Sequence, residues 1–210
     1  MAKSEFQLNR KIDLNTWPHP HTHAIGQITI EWNQTEKELS ELISVYLETD
    51  RPTAQLVIGA FGNRDKCQLL KSLVELKEGN SELAEAILHA ITCFDICREN
   101  RNHIIHSSAH EADEPHKITF RKPRKAKPTE SHEMVLDLNQ VRECANEIWH
   151  LRNYMIALKK VVSFQLTEAA LVEHSFGDDG YVEVVSPPLP EKPQKPRKLD
   201  SHLQVVQGTG

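Results

Sequence analysis

Between Phe94 and Ser107 the chain reads FDICRENRNHIIHS, and two arginines, two asparagines and two histidines, Arg101, Asn102 and His106 among them, stand inside what otherwise reads as a long core helix. A guanidinium binds an anion through paired N–H donors. An imidazole, whose ordinary titration lies near neutral pH, takes or orients a proton. An amide hydrogen-bonds to an imidazole or to an anion. Arg98, one turn earlier, adds a second cation on which phosphate can rest.

These residues must be positioned by a helix. Leu83, Ile87, Ala90, Phe94, Cys97, Arg101 and Ile105 recur at the spacing of a core stripe. Arg101 is therefore expected in an aliphatic slot, where a charge needs partners, a cleft or an interface. Arg98, Asn102 and His106, at i, i+4 and i+8, form a polar ridge along the edge of that stripe, a groove-lining arrangement. Ser81 is the expected N-cap of this helix, which should run to about Ala109. On a straight helix Arg101 and His106 are about 140° apart, so reaching one phosphate together requires a bend or a second protomer.

The pattern Arg101-Asn102-x-x-x-His106 resembles the signature of the HEPN superfamily (higher eukaryotes and prokaryotes nucleotide-binding): an Arg, a polar residue, and a His five positions after the Arg. The resemblance covers roughly residues 30 to 165. It implies a small helical bundle and a homodimer whose Arg and His pairs face one another across a cleft. The implied activity is endoribonucleolytic and needs neither metal nor cofactor, and the 2′-hydroxyl attacks to leave a 2′,3′-cyclic phosphate and a 5′-hydroxyl. In that family such activity serves toxin-antitoxin systems, antiviral defence or RNA processing, which would bring a restraining protein partner. Arg98-x4-His103 repeats the spacing in a second register, but Glu99 follows its Arg and His103 points away from the stripe.

A basic run follows the motif. Lys117, Arg121, Lys122, Arg124, Lys125 and Lys127 occur with no acidic residue between them, in a chain whose net charge is −5. Such an insertion, spanning 113–131, would neutralise a nucleic-acid backbone and makes RNA the expected partner. An ordinary solvated loop with a basic bias is the alternative. Ile118-Thr119-Phe120 is its one β-like stretch.

The remaining elements are helical. Thr35-x-x-Glu38 is a capping box that should open the first helix near Asn33 or Thr35, and Asp50-Arg51-Pro52 ends it. Thr53 is expected to cap a second segment that Gly59 and Gly62 separate from a run over Asp65 to Lys77, with Gly79-Asn80 as its stop. Asp137 should cap the last helix, whose stripe is Leu138, Val141, Cys144, Ala145, Ile148, Leu151, Met155, Leu158 and Val162. Its Arg152-Asn153 repeats the Arg-Asn pair, with Ala157 where a His would stand, so it carries no functional role. Trp149 and Tyr154 either extend a dimer surface or pack locally.

The ends differ in character. Trp17-Pro18-His19-Pro20-His21-Thr22-His23 is expected to stay out of helix as a solvated loop, although three histidines at alternate positions on an extended strand would suit a metal. Gly26 to Trp32 reads as a short β-like or helix-entry segment. Gly177 to Gly180 should turn, Tyr181 to Val185 is an isolated β-like run, and Pro187 to Lys198 holds five prolines, too many for helix or central strand. Cys67, Cys93, Cys97 and Cys144 show no Cys-x-x-Cys pair and read as structural thiols; His89, Cys93 and Cys97 share a helix edge but lack a fourth metal ligand.

With 210 residues, 39% hydrophobic and 26% charged, the composition fits one domain plus tails. No apolar run reaches membrane-span length and the N-terminus lacks a signal-peptide core, so a cytoplasmic location is expected. The expected fold is all-α: an up-down bundle of four to five helices over residues 33–165 with a short β-like insertion, after an N-terminal lead and His/Pro loop at 1–32 and before a disordered Pro-rich tail at 166–210. The expected function is a metal-independent endoribonuclease. The alternative is a non-catalytic binding or regulatory protein of the same helical frame, in which Arg98 and Arg101 hold phosphate without chemistry.

Overall fold

The computed structural model describes residues 19–112, 114, 116–124, 127–174 and 187–207. Among the described residues five α-helices form the frame: α1 (His19–Leu47), α2 (Arg51–Gly59), α3 (Asn63–Lys77), α4 (Glu82–Ile105) and α5 (Leu138–His174). Four strands among the same residues, β1 (Ser108–Glu111), β2 (Lys117–Arg124), β3 (Lys127–Asp137) and β4 (Leu203–Gln207), make one antiparallel sheet in that order. The protein is mostly helical, and the all-α expectation is corrected by this sheet.

α1 starts fourteen or more residues earlier than the capping box predicts, and the His/Pro stretch supplies its first turn. Proline is tolerated there because the first-turn N–H groups have no intrahelical partner to lose. Thr35 is fully buried, its hydroxyl donating to the Glu31 carbonyl at 2.8 Å rather than capping anything. Ala24, Ile28, Trp32, Leu39, Leu42, Ile43 and Tyr46 give α1 one buried face, which packs most extensively on α5. Arg152 joins the two helices through Glu31 at 2.6 Å, so the second Arg-Asn pair is a structural tie. The boundary expected at residue 32 falls inside α1, where the Trp32 ring lies 4.7 Å from that of Phe94.

The other starts and stops are local. Asp50, not Thr53, caps α2, its side chain accepting from Thr53 N. α3 ends before Gly79, whose φ of 59° is a conformation glycine adopts at little cost. Ser81 Oγ accepts from Ala84 N at 3.0 Å to open α4. Asp137 and Gln140 exchange side-chain hydrogen bonds with each other's backbone N–H at 2.9 and 2.8 Å, the capping box that starts α5.

The basic insertion is a β-hairpin. Ile118 pairs with Leu136 and Phe120 with Met134, and all four are buried against the helices. β4 closes the other side of β3, Met134 standing opposite Leu203. It is delivered by the Pro-rich segment, which is an ordered strap rather than a disordered tail. His89 Nε2 meets the Pro193 carbonyl at 2.8 Å, Glu147 accepts from Arg197 N at 3.0 Å, and Leu199 is buried. Lacking several N–H groups, the prolines place the strap as an extended ligand of α4 and α5 rather than as an element of its own. The turn and β-like run expected at 177–185 lie outside the described residues.

Candidate active site at the end of the fourth helix

α4 stops at Ile105, and His106 is its C-cap, with φ −101° and ψ 17° and its N–H on the Asn102 carbonyl. Leaving helical geometry there lets the ring turn back along the last turn. Arg101 Nη1 lies 2.7 Å from His106 Nε2 and donates to Asn102 Oδ1 at 3.1 Å. Of the two expected routes, a bend or a second protomer, the first brings Arg101 and His106 together: the helix end joins them within one chain. His106 is exposed, and Arg101 and Asn102 are half-buried at the rim.

The core stripe follows the expected positions from Leu83 to Cys97 and then runs one residue earlier. Asn100 and Ile104, not Arg101 and Ile105, continue the buried line of Phe94 and Cys97. Asn100, 2% exposed, donates from Nδ2 to the Arg197 carbonyl at 2.7 Å and accepts the Leu199 N–H at 3.0 Å. A side-chain amide presents one donor and one acceptor as a peptide does, so Asn100 pairs with the strap as a strand would. Nothing in the sequence marks this role except the phase of Asn100, three residues after Cys97 and four before Ile104. Arg101 Nε is buried without a hydrogen-bond partner among the described residues, so the head group's polarity is directed at the rim.

Arg98 does not join Arg101. Its Nη2 is 3.0 Å from Asp95 Oδ1, and the pair lies beside Cys67 of α3. The hairpin cations are brought near the motif by register, since Ser108, two residues after His106, stands opposite Arg121. They are largely partnered, however. Lys117 Nζ meets Glu114 at 2.5 Å, Arg124 pairs with Glu130, and Arg121 Nε presses on Glu133 at an angle that makes an ion pair but not a hydrogen bond. Lys122 stands opposite His132; Lys125 lies outside the described residues, and only the backbone of Lys127 is described.

The thiols are buried, and burial raises the pKa of all four, Cys93 to about 11. His89 Nε2 faces the Pro193 carbonyl and Cys93 Sγ, and no group of three His, Cys, Asp or Glu able to hold a metal occurs among the described residues. Tyr154 packs locally, its hydroxyl on the Ala86 carbonyl at 3.2 Å, while Trp149 is exposed against His150. Among the described residues no helix is long and apolar enough to cross a membrane. No family model, no curated protein and no solved structure matches this chain.

Proposed function

We propose that this chain is a metal-independent RNA endonuclease of the HEPN type, cutting through the RNA's own 2′-hydroxyl. The observation that carries the reading is the 2.7 Å contact between Arg101 Nη1 and His106 Nε2 at an exposed helix end. An imidazole nitrogen that accepts a hydrogen bond carries no proton, so Nε2 rests in the form a general base needs. An incoming phosphate competes for the Arg101 N–H groups and frees the Nε2 lone pair. The 2′-hydroxyl proton passes to Nε2, the 2′-oxygen bonds to phosphorus, and the bond from phosphorus to the 5′-oxygen breaks. The departing oxygen takes a proton back from the imidazolium, leaving a cyclic phosphate and a 5′-hydroxyl. Arg101 stabilises the pentacoordinate phosphorus, and Asn102 holds the guanidinium in place.

The homodimer stays in this reading with an altered role. Each protomer carries its own Arg–His pair, so a partner supplies the facing wall of a cleft, not the missing half of a site. RNA would approach over the hairpin, with Arg98, Lys117, Arg121, Lys122, Arg124, Lys125 and Lys127 as the phosphate-contacting set. A cytoplasmic setting and a restraining protein partner belong to the same reading.

One observation favours a second reading, a non-catalytic binding or regulatory protein. Glu114, Glu130 and Glu133 already pair with Lys117, Arg124 and Arg121, which lowers the charge available to a nucleic-acid backbone. The deciding experiment is incubation of the protein with total RNA in excess chelator, beside Arg101→Ala and His106→Ala. Cleavage by the wild type alone, with cyclic phosphate ends, supports the nuclease. No cleavage by any of the three supports the binding protein.

A further inference from the structure

A second site lies on the side of the bundle formed by α1, α2, α3 and α5. A cavity of about 530 Å³ is lined there by Lys37 and Glu41 of α1, Arg51 and Ile58 of α2, Lys66 of α3 and Lys159 of α5. Four cations thus face one carboxylate, in a protein whose net charge is −5. The cavity between α3 and α4 shows the contrast: Arg64, Lys71 and Lys198 are matched there by Asp65, Asp95 and Glu99.

The four cations are not equally satisfied. Lys159 is held by Glu38 at 2.6 Å and by Glu41, and Lys37 shares Glu41 at 3.5 Å. Lys66 is half-buried, and its ammonium meets only the Ser40 hydroxyl, at 3.2 Å, among the described residues. Arg51 has no carboxylate partner among them. Two unneutralised cations from different helices, lining one cavity, suit a doubly charged oxyanion; the Ser40 hydroxyl is already engaged, donating to the Glu36 carbonyl at 3.0 Å. Val45, Ile58 and Gly59 give the same cavity an apolar wall, and its volume exceeds what a bare inorganic anion fills.

We propose that this cavity binds a small organic phosphate, the phosphate between Arg51 and Lys66 and the organic body against Val45 and Ile58. None of its lining residues belongs to the Arg101–His106 site, so it stands or falls independently of the nuclease reading. The phosphomonoester can come from a soluble metabolite or from a lipid headgroup, and the test separates them.

The full chain is titrated, in phosphate-free buffer, with adenosine monophosphate and with inorganic phosphate while amide resonances are followed. Phosphatidylcholine vesicles with and without phosphatidic acid are used in a parallel sedimentation assay. The expected result is saturable shifts confined to Ser40, Arg51, Lys66 and their neighbours, with adenosine monophosphate binding more tightly than inorganic phosphate. Loss of one charge-assisted contact in Lys66→Gln or Arg51→Gln should weaken binding about tenfold. Vesicle binding that needs phosphatidic acid and is lost in Lys66→Gln would identify the lipid source instead. Arg51 is exposed, so Arg51→Gln provides the readout if Lys66→Gln lowers the melting temperature. Shifts that chloride reproduces at equal ionic strength, or that persist unchanged in the folded variants, would overturn the proposal.

Discussion

Arg101 Nη1 and His106 Nε2 lie 2.7 Å apart across the last turn of α4, joined because the helix ends at the histidine. The contact determines which ring nitrogen carries the proton. With Nε2 accepting, the neutral ring must hold its hydrogen on Nδ1. Nitrogen chemical shifts should show that tautomer in the wild type, and Arg101→Ala should release the ring to the alternative form. An unchanged tautomer in Arg101→Ala would mean that the contact does not govern the ring.

His21 should make the fold sensitive to acid. It is 3% exposed, and its ring meets no side-chain hydrogen-bond partner among the described residues, only the main chain of His116. Burial pushes its pKa below the ordinary value of 6.5, and the Arg142 and His116 charges act the same way, opposed by the His116 main chain and by Asp137. Its folded pKa being depressed, the stability it contributes is present above the unfolded value and is lost as pH falls through the folded one. Unfolding free energy should therefore decline below about pH 6.5, by at most about 1.4 kcal/mol per pH unit from this group. Urea denaturation between neutral and mildly acid pH should show this slope in the wild type and a flatter one in His21→Leu.

Asn100 is the strap's anchor. Asn100→Ala removes two hydrogen bonds and leaves the Arg197 carbonyl and the Leu199 N–H without partners, at a cost of about 2–3 kcal/mol. Amide exchange should accelerate from Arg197 through β4, while α1 remains protected. Equal acceleration throughout would show that the strap and the bundle unfold as one unit.

The hairpin offers a test of how RNA would be held. In Glu130→Gln/Glu133→Gln, Arg124 and Arg121 lose their ion-pair partners. Affinity for single-stranded RNA should rise, and the slope of log K against log salt should steepen by about 0.7 for each arginine that gains a phosphate. A filter-binding series over salt concentration checks this, and an unaltered slope would place the RNA path elsewhere.

Some of this architecture is written in short stretches. Ser81 before α4, Asp137 with Gln140 before α5 and Gly79 after α3 act through contacts within a few residues, so they are legible wherever they occur. The same local logic misled at Thr35-x-x-Glu38, because a threonine and a glutamate also fit a helix interior when Thr35 bonds one turn back to Glu31. It misled at His19 to His23 as well, where Pro20 is compatible with helix in a first turn alone.

By itself, then, the sequence determined the helical segments with their apolar faces, and the presence of Arg101, Asn102 and His106 near the end of one of them. Tertiary structure alone decided that Arg101 meets His106 within the chain, since that depends on where α4 stops and how the chain leaves it. It also decided that Asn100 is buried, that the basic run pairs with β3 into a hairpin, and that the Pro-rich segment is ordered. Each of these rests on partners far apart in sequence: Met134 for Phe120, Arg197 and Leu199 for Asn100. Local propensity carries no record of such partners, because burial and strand pairing stabilise a residue through whatever the fold brings against it.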